Sequence, residues 1–181
     1  MIVCLDACHG GRDIGEVENK PLEVEITKKI INLCVNKLSC YDVKIITTGG
    51  SLENRVKTAN DFKTNYFVSI HLNSSKKGSF ESYVKDNPPL LNEYNQKIIH
   101  DEVFNYLKQF KVVNAGTKMF DFYIVKITKM PSLLLELLSV NNYKDIDLLK
   151  DDVFLDGLCE SIVKGIVSCL KLKFAPKITE K

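Results

Sequence analysis

Short apolar runs alternate along the chain with segments in which apolar residues recur at helical spacing. The runs at residues 2–5, 41–47 and 66–72 are rich in β-branched and aromatic residues and predict strands. Residues 26–38 and 51–63 place apolar side chains three to four positions apart and predict amphipathic helices. Strands that alternate with helices in this way usually pair in parallel, so the pattern predicts an α/β fold.

The second half of the chain continues this alternation. Further strands are predicted at residues 78–84, as part of a turn and strand within 114–125, and in the run SLLLELL after Pro131. Helices are predicted at residues 91–110 and 156–172. We therefore predict an α/β single domain with a twisted, mostly parallel (mixed) sheet of about six strands, flanked by helices on both faces.

Composition limits the class of protein. The chain has 181 residues, of which 45% are hydrophobic and 27% charged, and its net charge is +2. These values are typical of one globular domain, which we assign to residues 1–173, with a polar tail or the start of a linker at 174–181. Interspersed charges do not indicate nucleic-acid binding, and no apolar run approaches the length of a membrane span. We expect a monomer that is made in the cytoplasm without a signal peptide.

Two of the three histidines follow predicted core strands. His9 comes just after the first strand and precedes Gly10, and His71 ends the strand YFVSIHL. Parallel strands bring their carboxyl ends to one edge of a sheet, where ligands of α/β proteins bind. The third, His100, falls on the polar side of a predicted helix, and we expect it to be solvated.

Two glutamates could complete a site with these histidines. Glu23 opens a helix fourteen residues after His9, close enough for an imidazole and a carboxylate to share a cation, although a glutamate there could serve only the helix dipole. Glu25 could take the same place. Glu136 lies among leucines, where an ionised carboxylate is costly unless a cation or strong donors compensate. It could instead lie on the exposed face of an alternating strand, but burial beside a metal favours a general base.

Several motifs in one order resemble the zinc-dependent N-acetylmuramoyl-L-alanine amidases of the amidase-3 type, found in phage endolysins and bacterial autolysins. The resemblance extends from residue 2 to about residue 172. It is carried by these motifs: LDACHGGRDIG (5–15), Glu23, RVKTAN (55–60), FVSIHLN (67–73), GSFESYV (78–84), FYIVKITKMP (122–131) and LLLELLSVNN (133–142).

The resemblance implies a site and a substrate. It makes His9, Glu23 and His71 the ligands of Zn2+ and Glu136 the catalytic carboxylate, and the spacing from His9 matches the family for Glu23 alone. The substrate would be peptidoglycan, cut between the lactyl group of N-acetylmuramic acid and L-alanine. Cys8 stands where the family usually has glycine, and Ala115 where it often has arginine. We expect Cys8 to be structural, and we expect the six cysteines to form no disulfides.

Other functions remain open at this stage. A metal-free glycosidase could use Glu23 and Glu136 as paired carboxylates, but that chemistry leaves the two strand-end histidines without a role. An inert wall-binding module is a further alternative. The absence of tryptophan counts against an aromatic platform for sugars. Without a signal peptide, we expect an endolysin that reaches the wall through holin lesions, or else an autolysin released when the mother cell lyses in sporulation.

Overall fold

A six-stranded sheet forms the centre of the computed structural model, which describes residues 1–8 and 20–175. The strand order is β2-β1-β3-β6-β4-β5, and all neighbouring pairs are parallel except β4 with β6. This confirms the predicted α/β fold with its mixed sheet. The strands are β1 (Ile2–Ala7), β2 (Lys44–Thr48), β3 (Tyr66–Asn73), β4 (Phe80–Val84), β5 (Asn114–Met119) and β6 (Ser132–Ser139).

Helices cover both faces of the sheet. They are α1 (Lys20–Leu38), α2 (Leu52–Asp61), α3 (Leu90–Leu107), α4 (Tyr123–Lys126), α5 (Tyr143–Lys150) and α6 (Asp152–Leu170). Ser51 caps α2 by accepting a hydrogen bond from the backbone of Asn54, as its serine at the helix start predicts. Over the described ranges, none of these helices combines the length and apolar character needed to cross a bilayer.

The two faces of the sheet differ in what they bury. Alternate residues such as Leu5 and Ile70 point to the larger core, which α1, α3 and α6 cover. In that core Gly165 of α6 lies so close to α3 that an added Cβ would come within 2.8 Å of the Ile99 Cα. The opposite face holds a smaller core around Phe67 and Leu134, under α2 and α4, and this face also carries the polar residues of the site.

Apart from shifts of up to a few residues at the ends of elements, the structure departs from the sequence analysis in three places. The strand predicted within 114–125 ends at Met119, and the one-turn helix α4 begins at Tyr123, directly after its N-cap Phe122. Helix α5 was not predicted, because its eight residues are too few to show a clear helical period. The one signal for it is Asn142, whose side chain caps the helix by accepting from the backbone of Lys144.

His100 was predicted to be solvated, but it is only 2% exposed and stacks on Phe80. The polar residues beside it on α3 also lie in a polar network inside the protein, which is why this side of the helix is polar although it is buried.

The predicted tail begins at a backbone contact. Phe174 forms an antiparallel bridge with Tyr41, and their rings meet edge to face at 5.8 Å. Residues 176–181, the rest of the predicted tail, lie outside the described residues.

Candidate active site

The site lies at the carboxyl edge of the central strands β1, β3 and β6. The register pairs His71 of β3 with Glu136 of β6, and it shifts between His71 and Asn73, a bulge of the kind common beside active sites. At the end of β1, the backbone N–H of Cys8 donates to the Ile70 carbonyl at 3.1 Å. The chain is therefore held against β3 up to the residue before His9, which itself lies outside the described residues.

Glu23, in the first turns of α1, reaches the same edge. Its Oε1 accepts a hydrogen bond from the Leu72 backbone N–H at 3.1 Å and lies 3.7 Å from Nδ1 of His71. The side chain of Glu23 is buried, whereas Glu25 is exposed. Of the two glutamates considered from the sequence, Glu23 is thus the one that lies beside His71.

Cys8 is a third potential metal ligand in this cluster. Its Sγ and the ligand atoms of Glu23 and His71 all lie within 4.8 Å of one another. The thiol is fully buried and 3.2 Å from the Thr27 hydroxyl, which itself donates to the Glu23 carbonyl. Burial first, and then the charge of Glu23, raises the pKa of Cys8 far above its usual range. A protonated thiol donating to Thr27 suits the structural role predicted for Cys8.

A buried ion pair supports the far side of the His71 ring. Arg55 of α2 donates to both carboxylate oxygens of Asp6, at 2.8 and 2.5 Å, and both side chains are fully buried. Asp6 also accepts from the hydroxyls of Thr48 at 2.7 Å and Ser69 at 2.6 Å. A buried charge pair is stable only when further hydrogen bonds satisfy its atoms, and here two hydroxyls do so.

This network selects a tautomer of His71. Ser69 Oγ lies 3.0 Å from Nε2 of His71, and its single proton is directed to Asp6. Of the two neighbours of Nε2, the Ser69 oxygen at 3.0 Å is nearer than the donor Arg55 Nη2 at 3.4 Å, which already donates to Asp6 at 2.5 Å. The shorter contact therefore favours a ring that donates to Ser69, with the proton on Nε2. The lone pair is left on Nδ1, which is the nitrogen that faces Glu23. Such outer hydrogen bonds are how proteins orient histidine ligands toward a metal.

Glu136 is the second carboxylate of the site. Burial, followed by the negative charges of Glu23 and Glu81, raises the pKa of Glu136 to about 8. Glu81 pairs with Glu136 across β4 and β6, and it is itself held by Lys118 at 2.6 Å and by the phenol of Tyr83. A carboxylate with a raised pKa in a cleft is a candidate for proton transfer.

Two cavities meet at His71 and Glu136. One, of about 190 Å³, is lined by polar groups that include Glu23, Asn73, Ser74 and Tyr83, and we call it the polar cavity. The other, of about 390 Å³, has mostly apolar walls, and we call it the aromatic cavity. Apart from His71 and Glu136, its walls are formed by Arg55 and by five apolar or aromatic residues: Leu52, Phe122, Tyr123, Ile124 and Leu134.

Sequence reasoning missed several polar residues of the site. It placed Asp6 near the site without a chemical role and assigned none to Arg55 and Ser69, although two of these three residues carry a usable signal. Asp6 and Ser69 are polar residues inside otherwise apolar strands, and Ser69 precedes His71 by two positions, so it lies on the same face of β3. Arg55 comes from another helix, and only the folded chain brings it to Asp6.

Comparison with known proteins agrees with this architecture. A family model described as N-acetylmuramoyl-L-alanine amidase matches residues 3–168. The endolysin of Bacillus phage SPP1 is 34% identical over 99% of this chain and 72% of its own length. The N-acetylmuramoyl-L-alanine amidase CwlM of Bacillus licheniformis is 28% identical over 94% of this chain and 69% of its own.

Solved structures give the same result. The catalytic domain of CwlV, an N-acetylmuramoyl-L-alanine amidase of Bacillus (Paenibacillus) polymyxa var. colistinus, superposes with a TM-score of 0.83 at 26% identity, covering 95% of this chain and 99% of that one. An N-acetylmuramoyl-L-alanine amidase of Clostridium difficile 630 gives 0.84 at 25% identity, covering 94% and 96%.

Proposed function

This chain belongs to the N-acetylmuramoyl-L-alanine amidase family, and from that premise we propose that it is a zinc-dependent hydrolase of peptidoglycan. The bond cut is the amide between the lactyl group of N-acetylmuramic acid and L-alanine of the stem peptide. The observation that carries this proposal is the meeting of Glu23, His71 and Glu136 at one edge of the sheet, with Glu23 and His71 3.7 Å apart.

The donor set fits zinc. A carboxylate oxygen and an imidazole nitrogen with its lone pair directed at the cleft are ligands that zinc accepts. Glu23 and His71 would hold the ion together with His9, which follows Cys8 directly in the chain. Bound there, zinc would act as a Lewis acid that lowers the pKa of water to about 7 and polarises the scissile carbonyl.

Glu136 acts as the general base in this proposal. Its carboxylate takes a proton from the attacking water, whose oxygen bonds to the carbonyl carbon. As the C–N bond breaks, Glu136 returns the proton to the departing nitrogen. The products are a lactyl carboxylic acid and a free amino terminus on L-alanine. Because Glu23 contributes to the raised pKa of Glu136, a cation on Glu23 would lower that pKa and favour the basic form.

Among biological roles, we favour an endolysin that acts on the wall after release from the cell. The phage SPP1 endolysin is 34% identical to this chain, whereas the sporulation-specific amidase of Bacillus subtilis is 27% identical. A sporulation autolysin with the same chemistry is the second candidate. Both roles require the same amide hydrolysis.

Mass spectrometry of the products formed from purified peptidoglycan tests the chemistry. We expect new L-alanine amino termini without new reducing sugars, lost on treatment with a zinc chelator and restored by zinc. New reducing ends that survive chelation would contradict the proposal and indicate the paired-carboxylate glycosidase. Wall binding without any product would indicate the inert module.

The substitution Glu136→Gln tests the role of the base. It keeps the shape of the side chain but removes its basicity, so we expect activity to fall about 10²- to 10⁴-fold. Zinc content, measured by elemental analysis, and the melting temperature should be retained. Glu25→Gln is the matched control, since Glu25 is exposed on α1, and it should behave as the wild type. Full activity of Glu136→Gln would exclude Glu136 as the base.

A further inference from the structure

The aromatic cavity adjoins the catalytic edge of the sheet but takes no part in the proposed chemistry. It shares Glu136 and His71 with the polar cavity, but its remaining walls are mostly apolar, and none of them has a role in the proton transfer described above. We propose that the aromatic cavity binds the N-acetylated sugar on the acyl side of the scissile amide, while the polar cavity takes the stem peptide. This inference rests on the proposed function.

The position of the two cavities requires that substrate occupy both. The reacting amide must lie within reach of Glu136, where the cavities join. The two halves of the substrate leave that amide in opposite directions, the lactyl ether and sugar on the carbonyl side and the peptide on the nitrogen side. Each cavity therefore receives one half.

The chemistry of the walls decides which half enters which cavity. A stem peptide carries a donor and an acceptor at nearly every residue, and each one left unpaired in an apolar pocket weakens binding. The polar cavity offers the side chains of Asn73 and Ser74 for such groups, while the phenol of Tyr83 in its wall already donates to Glu81. The lactyl methyl, the acetamido methyl and the C–H face of a pyranose need no such partners and fit walls such as Leu134 and Phe122.

The aromatic rings also continue beyond the cavity, as a polymeric ligand requires. The ring of Phe122 lies 5.0 Å from that of Tyr83 and 4.6 Å from that of Phe120, centroid to centroid. Phe120 and Tyr123 are 54% and 44% exposed. The rings of Tyr83, Phe122 and Phe120 thus form a continuous row from the catalytic edge to the surface. Tyr123 lies beside this row, in the wall of the cavity. Exposed apolar surface of this kind, continuous with a site, usually marks a binding surface.

Tryptophan is absent, but phenylalanine and tyrosine here supply the flat apolar surfaces that a sugar ring can cover. A glycan strand extends over many sugars, so exposed rings outside the cavity add contacts for it.

The test compares two soluble substrates with the same stem peptide. One carries the N-acetylglucosaminyl-N-acetylmuramoyl disaccharide, and the other carries only the lactoyl group. For Phe122→Ala and Tyr123→Ala, we expect the ratio of kcat/KM between the sugar-bearing and the sugar-free substrate to fall about tenfold, mainly through KM. Phe122→Leu, which keeps apolar volume without the ring, should lie between wild type and Phe122→Ala and guards against a folding defect.

Phe62→Ala is the matched control. Phe62 is 47% exposed and follows the last turn of α2, before β3 begins, at the opposite edge of the sheet. For Phe62→Ala, the ratio of kcat/KM between the sugar-bearing and the sugar-free substrate should equal that of the wild type. An equal loss on both substrates, or a loss that depends on the length of the stem, would overturn the assignment of the cavity to the sugar while leaving the amidase chemistry intact.

Binding of the disaccharide itself separates this inference from the proposed function. N-acetylglucosaminyl-N-acetylmuramic acid, titrated into the purified wild-type protein by calorimetry, should bind saturably, and Phe122→Ala should weaken binding about tenfold. If the wild type hydrolyses neither substrate, the proposed function fails, and this titration still decides the inference. Absence of binding, or equal binding by Phe122→Ala, would overturn it.

Discussion

His71 and His100 are two histidines in polar networks, but they use their ring nitrogens differently. His71 donates from Nε2 to Ser69 and leaves Nδ1 facing Glu23 at the cleft. Both ring nitrogens of His100 form hydrogen bonds inside the protein. Its Nδ1 accepts from the hydroxyl of Ser82 at 2.9 Å, and its Nε2 donates to the side-chain carbonyl of Asn114 at 2.9 Å. The backbone N–H of Gly116 donates to the same side-chain atom of Asn114 at 2.8 Å, so this atom is the amide oxygen and not the amide nitrogen.

The difference shows what separates a candidate metal ligand from a structural histidine. Both rings are held by a neighbouring serine, so a hydrogen bond alone does not identify function. What matters is whether the second nitrogen faces other ligand atoms, as Nδ1 of His71 faces Glu23. His100 joins α3 to β4 and β5 and has no nitrogen left for a metal.

The strongest test of this comparison removes each ring in turn. His71→Ala should lose bound zinc and at least a hundredfold of the activity, since one of three proposed ligands is gone. His100→Ala should keep its zinc content and its kcat. It should instead lose about 2–3 kcal/mol in the free energy of unfolding, because Ser82 and Asn114 lose their partner inside the protein.

Elemental analysis, peptidoglycan hydrolysis and urea unfolding measure these three quantities on the same preparations. The comparison would be wrong if His100→Ala lost zinc, or if His71→Ala kept both zinc and activity.

Replacing the serine that hydrogen-bonds to each histidine ring should give the next largest effect. Ser69→Ala removes the acceptor that keeps the proton on Nε2, so the lone pair is no longer fixed on Nδ1. We expect zinc affinity, measured by competition with a chromophoric chelator, to fall about 10- to 100-fold. Asp6 keeps Arg55 and Thr48, so the fold should survive.

Ser82→Ala is the matched variant, because it deletes the equivalent hydroxyl beside His100. It should leave zinc affinity unchanged and lower only the stability. Nitrogen NMR of the His71 ring adds a readout that a general loss of stability would not alter, since the two tautomers differ in the shifts of Nδ1 and Nε2. An unchanged tautomer in Ser69→Ala would contradict the role of Ser69.

The alternation of apolar runs predicted the fold because α/β proteins repeat one local pattern. The strand YFVSIHL and the helix that precedes it were found from β-branched content and helical spacing, within about two residues of their bounds. Helix α4 and the end of β5 were not found, because residues 122–125 form a short unbroken apolar run that periodicity cannot assign to a strand or a helix. The structure of this run depends on packing against α2 and β6.

The candidate site could be predicted only in its outline. His71, Glu23 and Glu136 stood out because each is a polar residue at the end or inside of an apolar element, and the structure brings these three together. His9 lies outside the described residues, so its part in the site stays a prediction. The prediction for His100 was wrong because the polar side of α3 is not the exposed side. Residues such as Asn92, Asn95 and Gln96 are polar but buried, since they hydrogen-bond or pack within the protein.

The smallest predicted effect concerns the charge of His100. Burial, opposed by the hydrogen bond to Asn114, lowers the pKa of His100 below its ordinary value near 6.5. As the pH falls below that value, the unfolded chain takes up the proton before the folded chain does, so stability decreases. Above it, the stabilisation is complete. The slope due to this one group is at most about 1.4 kcal/mol per pH unit.

Comparison with His100→Ala isolates this slope from the other titrating groups, including the charges of Asp101 and Lys97 that act on the same ring. Between pH 7.5 and 5.5, the difference in unfolding free energy between wild type and His100→Ala should shrink by about 1 kcal/mol, measured by urea unfolding of the zinc-free proteins. Constancy of that difference would mean that the folded protein accepts the proton on His100 without cost. Its two hydrogen bonds would then not hold the ring neutral, and the contrast with His71 would rest on the metal site alone.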